Sequence, residues 1–411
     1  MTAVAPTLEK IAPKLVSRVP AGGLAGQAKA WIGAGAVLLV ASAAIGFATD
    51  KTRFLHAYLT AYVWALGIVL GALFFVIVQH VTRAGWSVVV RRIAEHVAST
   101  IPVMALLFVP IGIFYGDLYH HWAHPKEGDL VLQGKSGYLS AGCWFARAVA
   151  YFAIWIVLAR FFTKTSLKQD ESGDPALSLR MARLGAPALL LFALSITFAA
   201  IDWIMSLDPH WFSTIFGVCY FAGGFMAAMA TLTLLSLWLS KRGLLADAIT
   251  TEHYHDLGKL MFAFMVFWAY TNFSQYMLIW YANLPEETSF YAHRQHGNWY
   301  TMGAVLVIGH FLVPFAFLMS RHIKRNRLTL ALGAVFMLVM HWIDMIFLVM
   351  PNYGGHCDLG EAGMHWTLVD FTCLFGFAAL VAGLTLTSLR KTPLIPERDP
   401  RLAESLHFHN A

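Results

Sequence analysis

Charge is what this sequence has least of. Of 411 residues, only 13% are Asp, Glu, Lys or Arg, where a soluble domain carries roughly 25%. That shortage excludes an ordinary soluble enzyme. Cysteine is scarce as well: Cys143, Cys219, Cys357 and Cys373. None sits in a Cys-x-x-Cys-His run, so no haem is covalently attached. Nor do they cluster as an iron–sulfur site requires. Cys143 and Cys357 form a candidate disulfide for an oxidising compartment; buried free cysteine is the alternative. Alternating polar and apolar segments are missing, which argues against a β-barrel. Away from the ends of the long apolar runs the only Lys or Arg is Arg147, so no cationic relay is expected. Arg147 either snorkels outward or pairs with a carboxylate.

What is present is hydrocarbon. Hydrophobic residues make up 58% of the chain. Apolar runs lie near 30–48, 55–80, 99–118, 142–162, 184–205, 213–240, 257–281, 298–320, 328–350 and 365–388. Each is long enough to cross about 30 Å of hydrocarbon as a helix. The reading is an all-α polytopic membrane protein with ten transmembrane helices in residues 30–388. A polar N-terminal arm (1–29) precedes them, and an irregular, Pro-rich charged tail (389–411) follows. The first run is longer than a signal core and has no clear small-residue cleavage site before Asp50, so it is retained. The stretch 163–183, with Gly173-Asp174-Pro175, is expected to be the longest inner loop.

The formal charge of +6 does not point to nucleic acid. Basic residues crowd the N-terminal arm, every second connection (including Arg83, Arg91 and Arg92) and the tail. Lys51, Arg53, Lys126, Lys135 and Arg294 remain for the other side. This bias predicts both termini in the cytoplasm, with the basic residues as orientation signals first and lipid contacts second.

Polar residues inside the apolar runs are the functional candidates, because each is costly there. Asp202 lies about one turn inside the outer end of helix five, and Asp370 about one turn into helix ten. Helix nine carries His341 and Asp344, three apart and so on one face. His310 lies at mid-depth in helix eight. In helix seven, Asn272, Gln275, Ile279 and Asn283 share a face, with Tyr276 beside it and a Pro285-Glu286-Glu287 loop after it. If these faces converge, they form a polar, carboxylate-lined path in the outer half, backed by histidines. Quinol oxidation needs such groups to accept a hydroxyl bond and pass protons on. The alternatives are helix–helix hydrogen bonding without a ligand, proton conduction alone, or a b-type haem on His310 and His341. Asp117, His120, His121 and His124 share no single face, which favours a wet docking surface over a metal.

Two runs carry a resemblance. They are Asp202-Trp203-Ile204-Met205-Ser206-Leu207-Asp208-Pro209-His210-Trp211-Phe212-Ser213-Thr214, and Asn272-Phe273-Ser274-Gln275-Tyr276-Met277-Leu278-Ile279-Trp280-Tyr281-Ala282-Asn283-Leu284-Pro285-Glu286. With the helix count, they resemble the ActF-type membrane subunits of bacterial alternative complex III, a quinol:electron-acceptor oxidoreductase, within the NrfD/PsrC-like (polysulfide-reductase membrane subunit) family. The resemblance implies two four-helix bundles (roughly 55–206 and 213–350) with flanking helices 30–48 and 365–388. It implies an inner-membrane location and a homologous NrfD-like membrane partner. It also implies periplasmic iron–sulfur and c-type haem subunits, and association with a terminal oxidase. It implies a quinone (menaquinol or ubiquinol) rather than a bound metal or haem b. Of the candidates, only Asp202, Gln275 and Tyr276 lie in the matched runs. The sister subunit is the better candidate for the main quinol site, leaving this chain as scaffold and proton path.

Overall fold

The computed structural model describes residues 16–353 and 364–410; Cys357, and with it the Cys143–Cys357 pairing, lies outside them. The described chain is helical and contains no strand. The long helices are α1 (Ala25–Thr49), α2 (Lys51–Val81), α3 (Val88–Ile113, broken near Pro102 and Pro110), α4 (Ala141–Ser172) and α5 (Pro175–Trp203). They continue as α6 (Phe216–Lys241), α7 (Thr251–Ala282), α8 (Asn298–Met319), α9 (Arg327–Val349) and α10 (Leu368–Leu389). Among the described residues, nine of these helices are long and apolar enough to cross a membrane. The chain is an all-α polytopic membrane protein.

The helix that falls short is α7, and the cause is its content of Trp268, Tyr270, Thr271, Asn272, Ser274, Gln275 and Tyr276 rather than its length. At 32 residues it extends about 48 Å. It runs antiparallel to α6 from end to end. At one end Asn410 of the tail bonds Glu252; at the other, Gln275 bonds Ser213 and Trp211 donates to the Glu287 carbonyl. The chain ends agree with ten crossings. Leu394, just past α10, donates to the Ser17 carbonyl, just ahead of α1, at 2.7 Å. These two ends of the helical region therefore lie on one face, here called the terminal face, which requires an even number of crossings between them.

Helix α2 is the axis of the molecule, buried from Arg53 to Ile77 almost without interruption. It packs against α1, α3, α5, α6, α9 and α10. Small residues make the α2–α6 crossing close: a Cβ on Gly71 would lie 2.7 Å from the Ala228 Cβ and 2.8 Å from the Gly224 carbonyl oxygen. Membrane helices associate through such contacts, since lipid gives no hydrophobic drive to bring them together. The pair α1 and α10 pack along each other at the flank in the same way, through Gly35, Gly376 and Gly383.

Several boundaries differ from the sequence reading. Helix α1 starts at Ala25, inside the expected arm. The expected loop at 163–183 is mostly helix, with only Gly173-Asp174 between α4 and α5. Gly173 supplies the left-handed stop (φ 67°) and Asp174 caps α5. Helix α3 begins at Val88, so Arg91 and Arg92 are not loop residues. They are buried, with Arg91 Nη2 bonded to Asp399 at 2.6 Å and Arg92 Nη2 to Asp170 at 2.7 Å; both also approach Glu95. Mutual pairing is what makes such charges tolerable there. The tail is irregular through 390–400, as expected, but it is docked against the helices. Leu394, Ile395 and Leu402 are fully buried, and Arg398 donates to the Glu171 carbonyl.

Candidate functional site

Four helices, α6 to α9, bring several deep polar residues together. Helix α9 presents His341 and Asp344, α8 presents His310, α7 presents Trp268, and α6 backs them with Gly223. Trp268 joins the group. Its Nε1 donates to Asp344 Oδ2 at 3.0 Å, and its ring lies 3.7 Å from the His310 ring. A Cβ added to Gly223 would meet both His341 Nδ1 (3.0 Å) and Trp268 Cδ1 (3.4 Å), so the two rings pack closely against the bare glycine. His310 and His341 are completely buried, and among the described residues neither nitrogen of either ring has a hydrogen-bond partner. Buried polar groups are rarely left so. Imidazole can take a proton at one nitrogen and release one at the other, and a carboxylate beside it accepts. The set is equipped to hold and move protons.

The backbone at His310 is unusual. Residues Leu306–Leu312 form a π-helix inside α8, where the sequence reading expected an uninterrupted helix. Pro314 gives the reason: it has no N–H to offer the His310 carbonyl four residues back. π turns occur often at functional positions.

The amide stripe of α7 is spoken for within the chain. Gln275 accepts from the Ser213 hydroxyl and donates to the Tyr291 hydroxyl, both at 2.8 Å. Burial pushes the Tyr291 hydroxyl above its usual range, which keeps it a neutral partner. Tyr276 stacks edge-on against Tyr291 and accepts a longer bond, 3.3 Å, from Gln295. Asn272 bonds back to the Trp268 carbonyl. Asn283 is the left-handed cap of α7 (φ 51°) and leaves the stripe. The expected Pro-Glu-Glu loop is a short helix, Pro285–Arg294, with Pro285 and two glutamates in the first turn, where they suit the helix dipole.

The other two carboxylates stand apart from this group. Asp202 is fully buried between α4 and α5. Arg147 grips it with two bonds, Nε to Oδ2 at 2.7 Å and Nη2 to Oδ1 at 2.9 Å, and Tyr151 adds a third at 2.7 Å. Arg147 thus pairs rather than snorkels. Asp370 is the capping residue at the start of α10: it accepts from the Thr367 backbone and hydroxyl and from Arg53 Nη2 at 2.6 Å. The single path expected from helix depth therefore divides. His310, His341 and Asp344 converge; Gln275 and Tyr276 form a neighbouring set on α7; Asp202 and Asp370 are held in ion pairs on other helix pairs.

Trp268 and Gly223 were not among the expected site residues. Trp268 precedes Asn272 by four and Gln275 by seven, so extending the polar face of α7 one turn back reaches it. Asp117 takes Lys51 at 2.7 Å, and the His120 and His124 rings lie 5.4 Å apart. Among the described residues, no three His, Cys, Asp or Glu gather as metal ligands would.

No protein-family model matches this chain, and no curated protein matches it.

Proposed function

We propose that this chain is a membrane subunit of a quinol-oxidising respiratory complex, and that its own part is to carry protons along Asp344, His341 and His310. One observation carries the proton reading: four buried ring nitrogens without hydrogen-bond partners among the described residues, near a buried carboxylate held by Trp268. A structural core would bond or exclude such groups. The respiratory setting rests on the resemblance of the runs 202–214 and 272–286.

Quinol is the substrate of such a complex and yields two protons and two electrons on oxidation. The cluster offers a quinol hydroxyl an acceptor in Asp344 and exchange partners in the two imidazoles. Gln275 does not fit that use, because both ends of its amide are engaged within the chain. In this reading quinol is oxidised at a homologous membrane partner, and electrons pass to periplasmic iron–sulfur and c-type haem subunits. The terminal face is cytoplasmic, in keeping with the basic residues on it, and the membrane is the bacterial inner membrane.

The test is Asp344→Asn in the assembled complex, with quinol oxidation and proton release followed separately. Asparagine keeps an acceptor for Trp268 but cannot cycle a proton. Proton transfer is expected to fall by about 10²-fold or more, while quinol oxidation continues uncoupled. Loss of both activities would place quinol itself at Asp344. Wild-type behaviour in both would reduce the cluster to packing.

A further inference from the structure

The terminal face contains a cleft of about 330 Å³, within the size range of small-molecule sites. It opens where α2, α3, α5 and the tail meet. His80 and Arg83 line it from the end of α2 and the turn after it, Arg91 from α3, Ser178 from α5, and Arg401 and Asp399 from the tail. We propose that this cleft binds a phosphate group, supplied by the headgroup of a membrane phospholipid.

Three guanidinium groups border the cleft and only one carboxylate does. That carboxylate, Asp399, is already engaged by Arg91 Nη2. Among the described residues Arg83 makes no ion pair. The chain holds it in a left-handed turn (φ 51°) closed by a bond from its own N–H to the His80 carbonyl. That conformation is the left-handed close of α2, completed by the Ala84 N–H bonding to the Gln79 carbonyl, and it sets the Arg83 side chain on the cleft wall. Among the described residues Arg401 pairs with Glu404 alone, at 3.5 Å and with both side chains about half exposed, a weak competitor. Ser178 accepts from Gln169 Nε2 at 2.7 Å, which leaves its hydroxyl hydrogen free to donate. His80 is buried against Phe162, and its Nε2 has no partner. Guanidinium forks match phosphate oxygens two at a time. Gln79 Oε1, also buried and unpartnered, suits a protonated oxygen or an ammonium carried by the same headgroup.

The source follows from the wall of the cleft. Leu179 lines it, and on the same helix Leu184, Leu190 and Leu191 are exposed. Leu190, eleven residues beyond Leu179, falls on nearly the same face of α5, with the exposed Arg183 between them, so this face leads from the cleft toward the membrane span, where acyl chains lie. Basic pockets between helices at a cytoplasmic leaflet recognise anionic headgroups by the same chemistry.

The experiment uses the full chain in detergent, stripped of lipid and titrated with phosphatidylglycerol or with inorganic phosphate. Adducts are counted by native mass spectrometry. Wild type is expected to bind one phosphatidylglycerol tightly and to release it to high inorganic phosphate. The double variant Arg83→Gln/Arg401→Gln is expected to bind about a hundredfold more weakly, with its lipid-free melting temperature unchanged. Tight binding of inorganic phosphate with no preference for lipid would keep the phosphate site and assign it a soluble ligand. Should the double variant not fold, Ser178→Glu adds a negative charge to the cleft without removing a cation and is expected to show the same loss. Binding to neither probe, or binding unaffected by every variant that folds, overturns the proposal.

Discussion

Arg147 and Asp202 lock α4 to α5 through two parallel hydrogen bonds of 2.7 and 2.9 Å, with the Tyr138 ring 3.8 Å from the guanidinium carbon. A carboxylate held in this way is committed to structure. Asp202→Asn leaves a half-buried guanidinium uncompensated and is expected to cost about 3–5 kcal/mol, read as a lower melting temperature. Arg147→Lys does not substitute for the fork. Replacing both partners, Arg147→Met with Asp202→Leu, recovers most of the loss. An Asp202→Asn protein as stable as wild type, but defective in proton release, would return Asp202 to the proton path.

The α2–α6 crossing makes a second prediction. Gly71→Ala places its methyl 2.7 Å from the Ala228 Cβ and 2.8 Å from a carbonyl oxygen. Overpacking of this kind costs about 1–3 kcal/mol. Ala228→Gly in the same chain removes one of the two clashes and is expected to restore part of the melting temperature. Equal melting of Gly71→Ala and wild type would mean the two helices can separate freely.

Arg294 is a helix cap from outside the helix. It donates to the Phe347 and Leu348 carbonyls at the end of α9 and to the Phe290 carbonyl of its own helix, with its guanidinium over the Phe290 ring. Terminal carbonyls have no partner within their helix. Arg294→Met keeps the stem and strands the Phe347 carbonyl, while Asn352 Nδ2 still reaches the Leu348 carbonyl at 3.3 Å; the cost is about 1–3 kcal/mol. Hydrogen exchange in the last turn of α9 is expected to rise, and no such rise would mean other donors cap it.

The tail offers a fourth test. Ending the chain at Arg390 removes Leu394, Ile395 and Leu402 from their buried positions and takes Asp399 from Arg91. The truncated protein is expected to melt lower and to be cleaved by protease in the Arg83–Ser87 connection. The intact tail is expected to resist trypsin despite Arg398 and Arg401. Rapid trimming of the intact tail without loss of stability would contradict the docking.

Most of the architecture was legible because a chain this poor in charge can only bury its backbone as helices in lipid. The start of α3 was not, since Arg91, Arg92 and Glu95 read as a loop until their partners are known. The docked tail was missed for a related reason: its buried leucines and isoleucine are separated by Pro393, Pro396 and Pro400 and follow no helical period. At the site, His341 and Asp344 were readable as a pair from their spacing on one helix. The fates of Asp202 and Asp370 were not. Their arginines lie 55 and 317 residues away in the chain, and no pattern within a single helix records such partners.

The π segment sets the angular phase of α8. Its inward positions, Met302, Leu306, His310, Pro314 and Leu318, recur every fourth residue. In a regular α-helix each such step drifts by about 40°, because one residue turns the helix by about 100°. The wider turn rotates less per residue and absorbs part of that drift, so the two halves of α8 face the same interior. The surplus residue of the π segment is therefore what keeps His310 in line with Met302 above it and Leu318 below. Deleting one residue from 306–312 would let the segment wind as regular α-helix with the phase of its two ends nearly unchanged, whereas deleting a residue outside it would swing one half by about 100° relative to the other.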